Sequence, residues 1–516
     1  VEQARQLENP DARVALTGDD APSIMIEYAH GVHGFGSKDS PRFFRQFWEG
    51  VFPDLSWQAM STTVERTIEF GGKQQVVFWE NGSGILAELG RRGLAIPAGE
   101  MAWGKFGVSI SQIGKLPATL HTGEIFDKNT AVVLPKNYAH LPAIWCFCSS
   151  PEYNESVRQI DQSLKVTNST LVKVPFDLEY WTQVAKEYYP NGLPQPFSDD
   201  PTQWIFHGHP CGSVVWDVGT KKTTHGPLRK DTSVLHVAVA RLLGYRWPAE
   251  RDAVMELSPE QREWVTRCQA LTEYVDDDGI VCLSAMRGEA PAADRVRALL
   301  GAAYEGAFSE TDLLRAAGAK STRLEEWLRD EFFEAHCKMF QHRPFVWHIW
   351  DGLKDGFAAL VNYHTFDRAH LEALLYTYLR EWIERQASAE QAGDTGAATR
   401  RAAAEGLKAK LEKILEGERP HDIFVRWKSL AAQPIGWEPD LNDGVRLNIR
   451  PFLQDIGDVG KAGAGVLRWK PNIKWDKDRG KDVESAPWFA TFQGDRINDH
   501  HTTLAEKRAA RAKGSQ

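Results

Sequence analysis

The spacing of the apolar residues changes after about residue 232, and this change restricts the possible folds more than any single motif does. Up to about residue 185, short apolar runs alternate with glycine and polar turns, as in QQVVFWENGSG and TAVVLPKN, which is typical of strands joined by loops. Beyond residue 232, apolar residues recur at helical spacing between charged faces, as in SVLHVAVARLLGYRWP and TRLEEWLRDEFFEAHCKMF. We therefore expect an α+β protein.

The same pattern divides the chain into five predicted segments. A mixed α/β lobe covers 1–185, an irregular connector rich in Pro, Gly, Asp and His covers 186–232, and a mainly helical domain covers 233–366. In 367–420, two long helices around a Gly-Asp-Thr-Gly break predict an antiparallel helical hairpin. The remainder, 421–516, is a mixed region rich in Pro, Gly and Trp that ends in a basic tail.

Length and composition favour a folded protein built of several packed units. The chain has 516 residues, of which 42% are hydrophobic and 25% charged, and this excludes collagen-like and wholly disordered classes. No stretch approaches the roughly 20 consecutive apolar residues of a membrane-spanning helix, and the first residues lack a basic region followed by an apolar run. We expect a cytoplasmic protein with no membrane partner.

Two local patterns in the first lobe predict helices. In PRFFRQFWEGVF, the residues Phe43, Phe44, Phe47 and Trp48 are spaced as one face of a helix that starts at a proline. In SPEYNESVRQIDQSL, Ser150 is placed as the cap of a second helix and is followed by a proline at the first helical position.

The charge distribution limits where a polyanion could bind. The net charge is −9, so any nucleic-acid contact must be local. From residue 461 onward, 12 Lys or Arg stand against 7 Asp or Glu, which makes this tail the one basic region of the sequence. Nineteen tryptophans, many beside basic residues, favour buried anchors over base-stacking platforms.

Sequence patterns of known catalytic and metal sites are absent. The chain has no phosphate-binding loop followed by Lys and Ser or Thr, no HExxH and no GxSxG. His207, His209 and Cys211 alternate in HGHPC, whereas structural zinc sites space paired ligands by two or more residues. The six cysteines are too sparse for a disulfide framework, so we expect reduced thiols and no metal.

Several strings, in order, do carry specific information. GVHGFGSKDSPRFFRQFWE is followed by FGGKQQVVFWENGSG and then by AWGKFGVSISQIGKLPATLHTGEIFDKNTAVVLPK. RPFVWHIWDGLKDGFAALVNYH and EPDLNDGVRLNIRPF come later. Together they resemble the target-recognition and helical part of large adenine-specific DNA methyltransferases. These enzymes belong to phage-defence systems of the BREX and DISARM type and to single-chain type II restriction-modification systems.

The resemblance rests on particular positions and covers most of the chain. Arg42 and Phe43 match the Arg-Phe core of the family's aromatic-basic helix, which follows a Gly-rich turn. A Gly-Gly turn and a strand ending in Trp-Glu-Asn-Gly are matched by Gly71, Gly72, Trp79, Glu80, Asn81 and Gly82.

The resemblance implies a function in DNA recognition without catalysis by this chain alone. Family members bind the methyl donor S-adenosylmethionine through a Gly-rich loop, and they stack the target adenine on the aromatic residue of an (Asn/Asp/Ser)-Pro-Pro-aromatic motif. Neither motif occurs in these 516 residues, and the numbering begins at Val1. We therefore expect no cofactor in this chain, and we expect double-stranded DNA, a catalytic methyltransferase domain or subunit and other defence-system proteins as partners.

Candidate DNA contacts follow from residue chemistry and from this resemblance. Lys and Arg hold phosphates, whereas Arg, Asn and Gln read base edges. The candidates in the first lobe are Lys38, Arg42, Arg45 and Lys73 as phosphate or base contacts, and Asn81, Lys105, Ser109 and Gln112 as readers; those in the tail are Lys470, Lys474, Lys477, Arg479 and Lys481.

Two alternatives remain open from the residues alone. The arginines could pair with nearby acids on a solvated helix face, and the lysines of the tail could form a solvated charge cluster. The chain could also be a structural scaffold whose helical domain and hairpin dock other defence-system proteins without specific DNA reading.

Overall fold

The fold combines helices with several small sheets, which confirms the predicted α+β class. The computed structural model describes residues 23–306, 308–425, 428–453, 463–474, 486, 489–490 and 501–514. Helices make up 41% of the structure and strands make up 15%. Within these ranges, no helix has the length and apolar character needed to cross a bilayer.

The first lobe contains two four-stranded sheets with helices packed against them. Its strands are β1 (Ala29–His33), β2 (Phe44–Gln46), β3 (Trp57–Ser61), β4 (Gln75–Phe78), β5 (Gly107–Ser111), β6 (Ala118–His121), β7 (Ile125–Phe126) and β8 (Thr130–Pro135). Its helices are α1 (Ser40–Phe43), α2 (Ile85–Arg91), α3 (Leu141–Cys148), α4 (Pro151–Ile160) and α5 (Leu178–Tyr188). The predicted Ser150 cap is present, because its Oγ accepts a hydrogen bond from the Tyr153 backbone N–H.

The two sheets differ in strand order, and the first sheet packs against apolar residues on both faces. One sheet has the order β1-β8-β5-β6 and is antiparallel throughout. The other has the order β2-β4-β3-β7, in which only β3 and β7 are parallel. Within β8, Val133 packs into the main core, whereas Val132 and Leu134 pack into a separate cluster with Phe126. The first sheet therefore lies between two apolar layers.

The predicted helix over PRFFRQFWEGVF is wrong beyond its first turn. The α-helix ends with α1, and the chain then enters β2, where Phe44 lies opposite Val77 of β4, before a 3-10 turn at Phe47–Glu49. The reason is that the aromatic residues serve two cores. Phe43 packs in the cluster that contains Trp79, whereas Phe47 and Trp48 pack in the main core. A continuous helix would place all four on one face.

The connector and the helical domain both contain strands that the sequence pattern did not predict. In the connector, β9 (Val214–Asp217) and β10 (Lys222–His225) form an antiparallel hairpin. In the helical domain, β11 (Ile280–Cys282), β12 (Val346–Trp350) and β13 (Ala358–Asn362) form a sheet with β13 in the centre. The helices of this domain are α6 (Val234–Leu242), α7 (Pro248–Arg251), α8 (Pro259–Arg267), α9 (Ala292–Ala303), α10 (Glu310–Ala316), α11 (Leu324–Asp330) and α12 (Phe332–Met339).

The next segment contains the two long helices that the sequence predicts. After α13 (Arg368–Ala373) and a π-helical stretch (Leu374–Leu379), α14 (Arg380–Gln391) and α15 (Ala397–Glu416) pack against each other across the Gly-Asp-Thr-Gly turn. The C-terminal region contributes the helices α16 (Val445–Asn448) and α17 (Leu504–Gly514).

Trp48 joins the first lobe to the helical domain. Its ring is fully buried and packs edge-to-face against Phe340 with 5.3 Å between ring centroids. Its Nε1 donates a hydrogen bond of 3.0 Å to the backbone oxygen of Arg343. Its backbone oxygen lies 2.8 Å from Nε2 of His364. One residue therefore makes an apolar contact and two polar contacts with residues about 300 positions later in the chain.

The C-terminal helix α17 is anchored through a buried carboxylate. Asp422 lies 2.6 Å from Nδ1 of His501 and accepts a 2.8 Å hydrogen bond from the Thr502 backbone N–H. Lys507 of α17 is fully buried, and its Nζ lies 3.8 Å from Oδ2 of Asp422. Burial alone would raise the pKa of Asp422, but hydrogen bonds from His501 and Thr502 and the charge of Lys507 hold it below its ordinary value.

Replacing Trp48 by Ala should cost about 3–5 kcal/mol of unfolding free energy, because it empties a large buried site and leaves the Arg343 carbonyl without its donor. The measurement is urea denaturation followed by far-ultraviolet circular dichroism. Val254→Ala is the matched control, since Val254 is 91% exposed and should change the midpoint little. Equal midpoints for Trp48→Ala and the wild type would show that this junction does not hold the lobe.

Replacing Asp422 by Asn should loosen α17, because the buried Lys507 ammonium then loses its anionic partner. We expect the backbone amides of 504–514 to exchange hydrogen faster, as measured by mass spectrometry, with little change in the first lobe. Lys513→Ala removes an exposed charge from the same helix and serves as the control. Unchanged exchange in Asp422→Asn would contradict this anchoring role.

Candidate nucleic-acid interface

Three of the predicted DNA contacts in the first lobe lie at the surface. Lys38 is exposed, has a left-handed backbone with φ of 58°, and donates from Nζ to the Gly93 carbonyl over 2.9 Å. Asn81 is exposed, and its Oδ1 accepts a 3.1 Å hydrogen bond from Gln58. Lys105 is exposed between β4 and β5. A ligand could reach all three side chains.

Lys73 is not available to a ligand, and its predicted phosphate contact is corrected to a structural role. Its side chain is fully buried, and its Nζ lies 2.6 Å from Oε1 of Glu124 and 2.9 Å from Oγ1 of Thr122. The ammonium also lies 4.7 Å from the centre of the Trp204 ring. The burial of a charge requires such a partner, and Glu124 supplies it.

Arg42 and Arg45 are also buried, which corrects their predicted phosphate or base contacts and also excludes the alternative of a solvated helix face. The Arg42 guanidinium lies 4.6 Å from the centre of the Phe43 ring, and burial lowers the pKa of Arg42 although Asp39 acts to raise it. Arg45 donates from Nη1 to the carbonyls of Pro41 and Phe44, each over 2.8 Å. Both arginines therefore hold the turn from α1 into β2.

The predicted readers Ser109 and Gln112 lie inside the lobe. Ser109 is buried in β5, a central strand of its sheet. Gln112 is buried just after β5 and donates from Nε2 to the Val166 carbonyl over 2.9 Å. Neither side chain can reach a base edge in this structure, so both predicted contacts are corrected.

The predicted contacts in the tail are only partly described. Lys470 is half-buried and Lys474 is exposed. Lys477, Arg479 and Lys481 lie outside the described residues. The preceding Arg468 has a structural role, because its guanidinium stacks on Trp350 at 3.9 Å and pairs with Asp330 over 2.7 Å.

The Cys and His residues of HGHPC belong to the core. His209 accepts a 3.1 Å hydrogen bond from the Gly212 backbone N–H, and Cys211 donates from Sγ to the Ala303 carbonyl over 3.1 Å. Burial lowers the pKa of His207 to about 4 and that of His209 to about 2, so both rings are neutral at pH 7. Across the described ranges, no group of three or more His, Cys, Asp or Glu residues is arranged to hold a metal ion.

A basic surface that the sequence did not indicate lies beside the Gly-rich motif. We call His33, Lys128 and Lys165 the basic face. Nζ of Lys165 donates to the Lys128 carbonyl over 2.7 Å, and Cδ of Lys128 lies 3.4 Å from where a Cβ would stand on Gly36. The three side chains come from three separate segments, so no run of charge reveals them in the sequence.

The two lysines of the basic face lack a close ion pair, although one carboxylate acts on Lys165 from a distance. Burial lowers the pKa of half-buried His33, and the charges of Lys165 and Lys128 lower it further. In the part of the chain that the structure describes, no carboxylate oxygen lies within 4.0 Å of Nζ of Lys128 or Lys165. Asp127 acts on Lys165 from a distance, while its own oxygens accept hydrogen bonds from Asn129.

The glycines of GVHGFG bring these three segments together. A Cβ on Gly31 would lie 2.1 Å from the Asn168 carbonyl oxygen, and a Cβ on Gly34 would lie 2.0 Å from the Asp127 carbonyl oxygen. Only glycine allows such close backbone approach at these positions. The motif therefore packs the segments that carry Lys128 and Lys165 against β1. A cavity of about 440 Å³, lined by residues that include His30, His33, Gly99 and Ser169, opens beside them.

Comparison with known proteins gives no further assignment: no protein-family model matches the chain, and no curated protein matches it. The functional interpretation therefore rests on the residues described above.

The Lys73–Glu124 pair should make the lobe sensitive to acid. Burial would raise the pKa of Glu124, but Lys73, His121 and hydrogen bonds bring it to about 2, below the ordinary 4.5. A depressed carboxylate pKa stabilises the fold above pH 4.5, and this stabilisation is lost as pH falls toward 2. We expect the thermal midpoint of the wild type to fall over that range.

Single and double substitutions test the same pair. Glu124→Gln should lower the unfolding free energy at pH 7 by about 3–5 kcal/mol, because Lys73 remains buried and unpaired. The double variant Lys73→Met with Glu124→Leu should recover most of this loss, since two apolar side chains need no ionic partner. Thermal unfolding at pH 7 compares the three proteins, and a double variant as unstable as Glu124→Gln would contradict the assignment.

Proposed function

We propose that this chain binds double-stranded DNA and serves as the target-recognition and duplex-clamping part of an adenine-specific DNA methyltransferase in a phage-defence or restriction-modification system. One observation carries the proposal of DNA binding. Basic side chains from three separate segments converge on the basic face, and in the described residues no carboxylate pairs with Lys128 or Lys165. The resemblance of the ordered motifs supports the kind of enzyme.

The basic face suits phosphates more than base edges. Lysine ammonium groups act as point charges that neutralise phosphates and release counterions. Burial lowers the pKa of His33 most, and the charges of Lys165 and Lys128 lower it further. An anion bound between these side chains would relieve the repulsion among them. Phosphate contacts position a duplex without reading its sequence. Asn81 and Lys105 remain the exposed candidates for base contacts.

The described residues do not fit S-adenosylmethionine. Nucleotide-type cofactors bind at the carboxyl ends of parallel strands in open α/β sheets. The larger sheets described here are antiparallel apart from the short β3–β7 pair. We therefore assign methyl transfer to a separate catalytic domain or subunit that would bind this donor.

The double variant Lys128→Ala with Lys165→Ala should bind duplex DNA more weakly than the wild type. Each lost phosphate contact should reduce the slope of log affinity against log salt by about 0.9, so the two together should reduce it by about 1.8. Fluorescence anisotropy of a labelled duplex across a salt series measures both quantities. Lys408→Ala with Lys413→Ala on α15 removes the same charge from the helical hairpin and should leave affinity unchanged.

Two results would contradict the proposal. Binding that is insensitive to salt, or absent when the chain is combined with its catalytic partner, would favour a scaffold that docks other defence-system proteins. Equal weakening by the hairpin variant and the basic-face variant would show that net charge, rather than this surface, governs binding.

The affinity for DNA should rise as pH falls through the titration of His33. Its pKa in the free protein lies below 6.5, and a bound phosphate raises that pKa, so the complex takes up a proton. The affinity for DNA therefore increases as the pH falls from the pKa of His33 in the complex to the lower pKa of His33 in the free protein. Anisotropy titrations from about pH 7.5 to about pH 5.5 test this sign. His33→Gln should remove the His33 component, and a pH profile unchanged by that substitution would exclude His33 from the interface.

A further inference from the structure

A second cavity lies on the other side of the segment that borders the basic face. This aromatic cavity has a volume of about 430 Å³, and its lining includes Phe52, Trp57, Gln58, Trp103, Gly104 and Glu124. The segment 99–104 borders both cavities, because Gly99 lines the cavity at the basic face whereas Trp103 and Gly104 line the aromatic one. Between Gly99 and Trp103 the chain forms a 3-10 turn at Glu100–Ala102.

The aromatic walls are fixed in place by their neighbours. Trp57 donates from Nε1 to Oδ1 of Asn442 over 2.9 Å and packs edge-to-face with Phe78 at 5.2 Å. Trp103 packs edge-to-face with Trp79 at 5.3 Å. Rings that are already held in position lose little conformational freedom when a ligand stacks on them.

One polar side chain with an available acceptor complements the rings. Glu124 also lines the cavity, but its carboxylate is buried and already accepts hydrogen bonds from Nζ of Lys73 and from the backbone N–H and the hydroxyl of Thr122. It therefore serves the Lys73 ion pair and not a ligand. Gln58 donates from Nε2 to Oδ1 of Asn81, and this bond leaves the Oε1 acceptor of Gln58 unused. The lining therefore offers an amide oxygen to a planar ligand that carries an amino donor.

We propose that the aromatic cavity binds one unpaired nucleobase of the strand whose phosphates contact the basic face. Aromatic faces stack on any base, and the Gln58 amide oxygen can accept a hydrogen bond from an exocyclic amino group of a base. A methylated ammonium group would also suit the aromatic rings. The neighbouring basic face decides against it, since that surface repels cations and attracts a ligand with an anionic backbone.

This inference rests on the proposed DNA binding and adds a preference to it. A base inside a duplex must leave its stack to enter the cavity, and a bulged base does so at lower cost. The wild type should therefore bind a duplex with a single-base bulge about fivefold to about a hundredfold more tightly than the fully paired duplex. A 2-aminopurine at the bulge reports the change of environment by fluorescence.

Substitutions in the cavity should remove only this preference. Trp103→Leu and Gln58→Ala should bring the affinity for the bulged duplex down to that for the paired duplex. The paired-duplex affinity and its salt dependence should stay the same. Trp103→Phe keeps an aromatic wall and should keep most of the preference. Tyr180→Leu, which removes an exposed ring from α5, is the matched control. Circular dichroism confirms that each variant is folded.

The outcomes separate this inference from the proposed function. Salt-dependent binding of both duplexes with equal affinity would overturn the nucleobase cavity and leave the basic face standing. Binding of neither duplex would overturn both proposals. A third outcome would assign the cavity to a cation instead. In that outcome, tetramethylammonium quenches the tryptophan fluorescence of the wild type but not of Trp103→Leu, and the wild type shows no preference for the bulged duplex.

Discussion

The burial of Trp48 between the first lobe and the helical domain is the contact on which the arrangement of the chain depends. Its ring, its indole N–H and its backbone carbonyl each contact a different residue between Phe340 and His364. The main apolar core extends through this junction without a break, from Met25 to Ile473. A lobe held by such a core cannot move as an independent module, so a bound duplex would meet a fixed surface.

Positive charge has two different roles in this protein, and burial distinguishes them. Inside the fold, Lys73 pairs with Glu124, Arg241 pairs with Glu250 and Lys507 lies beside Asp422, because an unpaired buried charge is strongly destabilising. At the basic face, Lys128 and Lys165 repel each other in solvent, where the repulsion is weak enough to tolerate. The same residue type is therefore structural in one place and a candidate ligand contact in another.

Local sequence signals predicted elements that local interactions stabilise. The cap at Ser150, the strand patterns of β4 and β8 and the two helices around Gly393 were all visible in the chain, because capping, alternation and helical spacing act over a few residues. The helix predicted over residues 41–52 failed because its aromatic residues pack into two separate cores. The spacing of apolar residues did not predict the sheet β11-β13-β12, because β11 pairs with β13 across several intervening helices, and the adjacent β12 and β13 are short strands within a mainly helical sequence.

The sequence by itself determined the fold class and the elements whose signals are short-range. It also supplied the ordered motifs from which a role in DNA recognition is proposed. Only the tertiary structure decided which charged residues are accessible: it buried Arg42, Arg45 and Lys73 and brought His33, Lys128 and Lys165 together. The physical reason is that exposure and electrostatic environment depend on contacts between segments far apart in the chain. The close backbone approaches at Gly31 and Gly34, which create the basic face, are contacts of this kind.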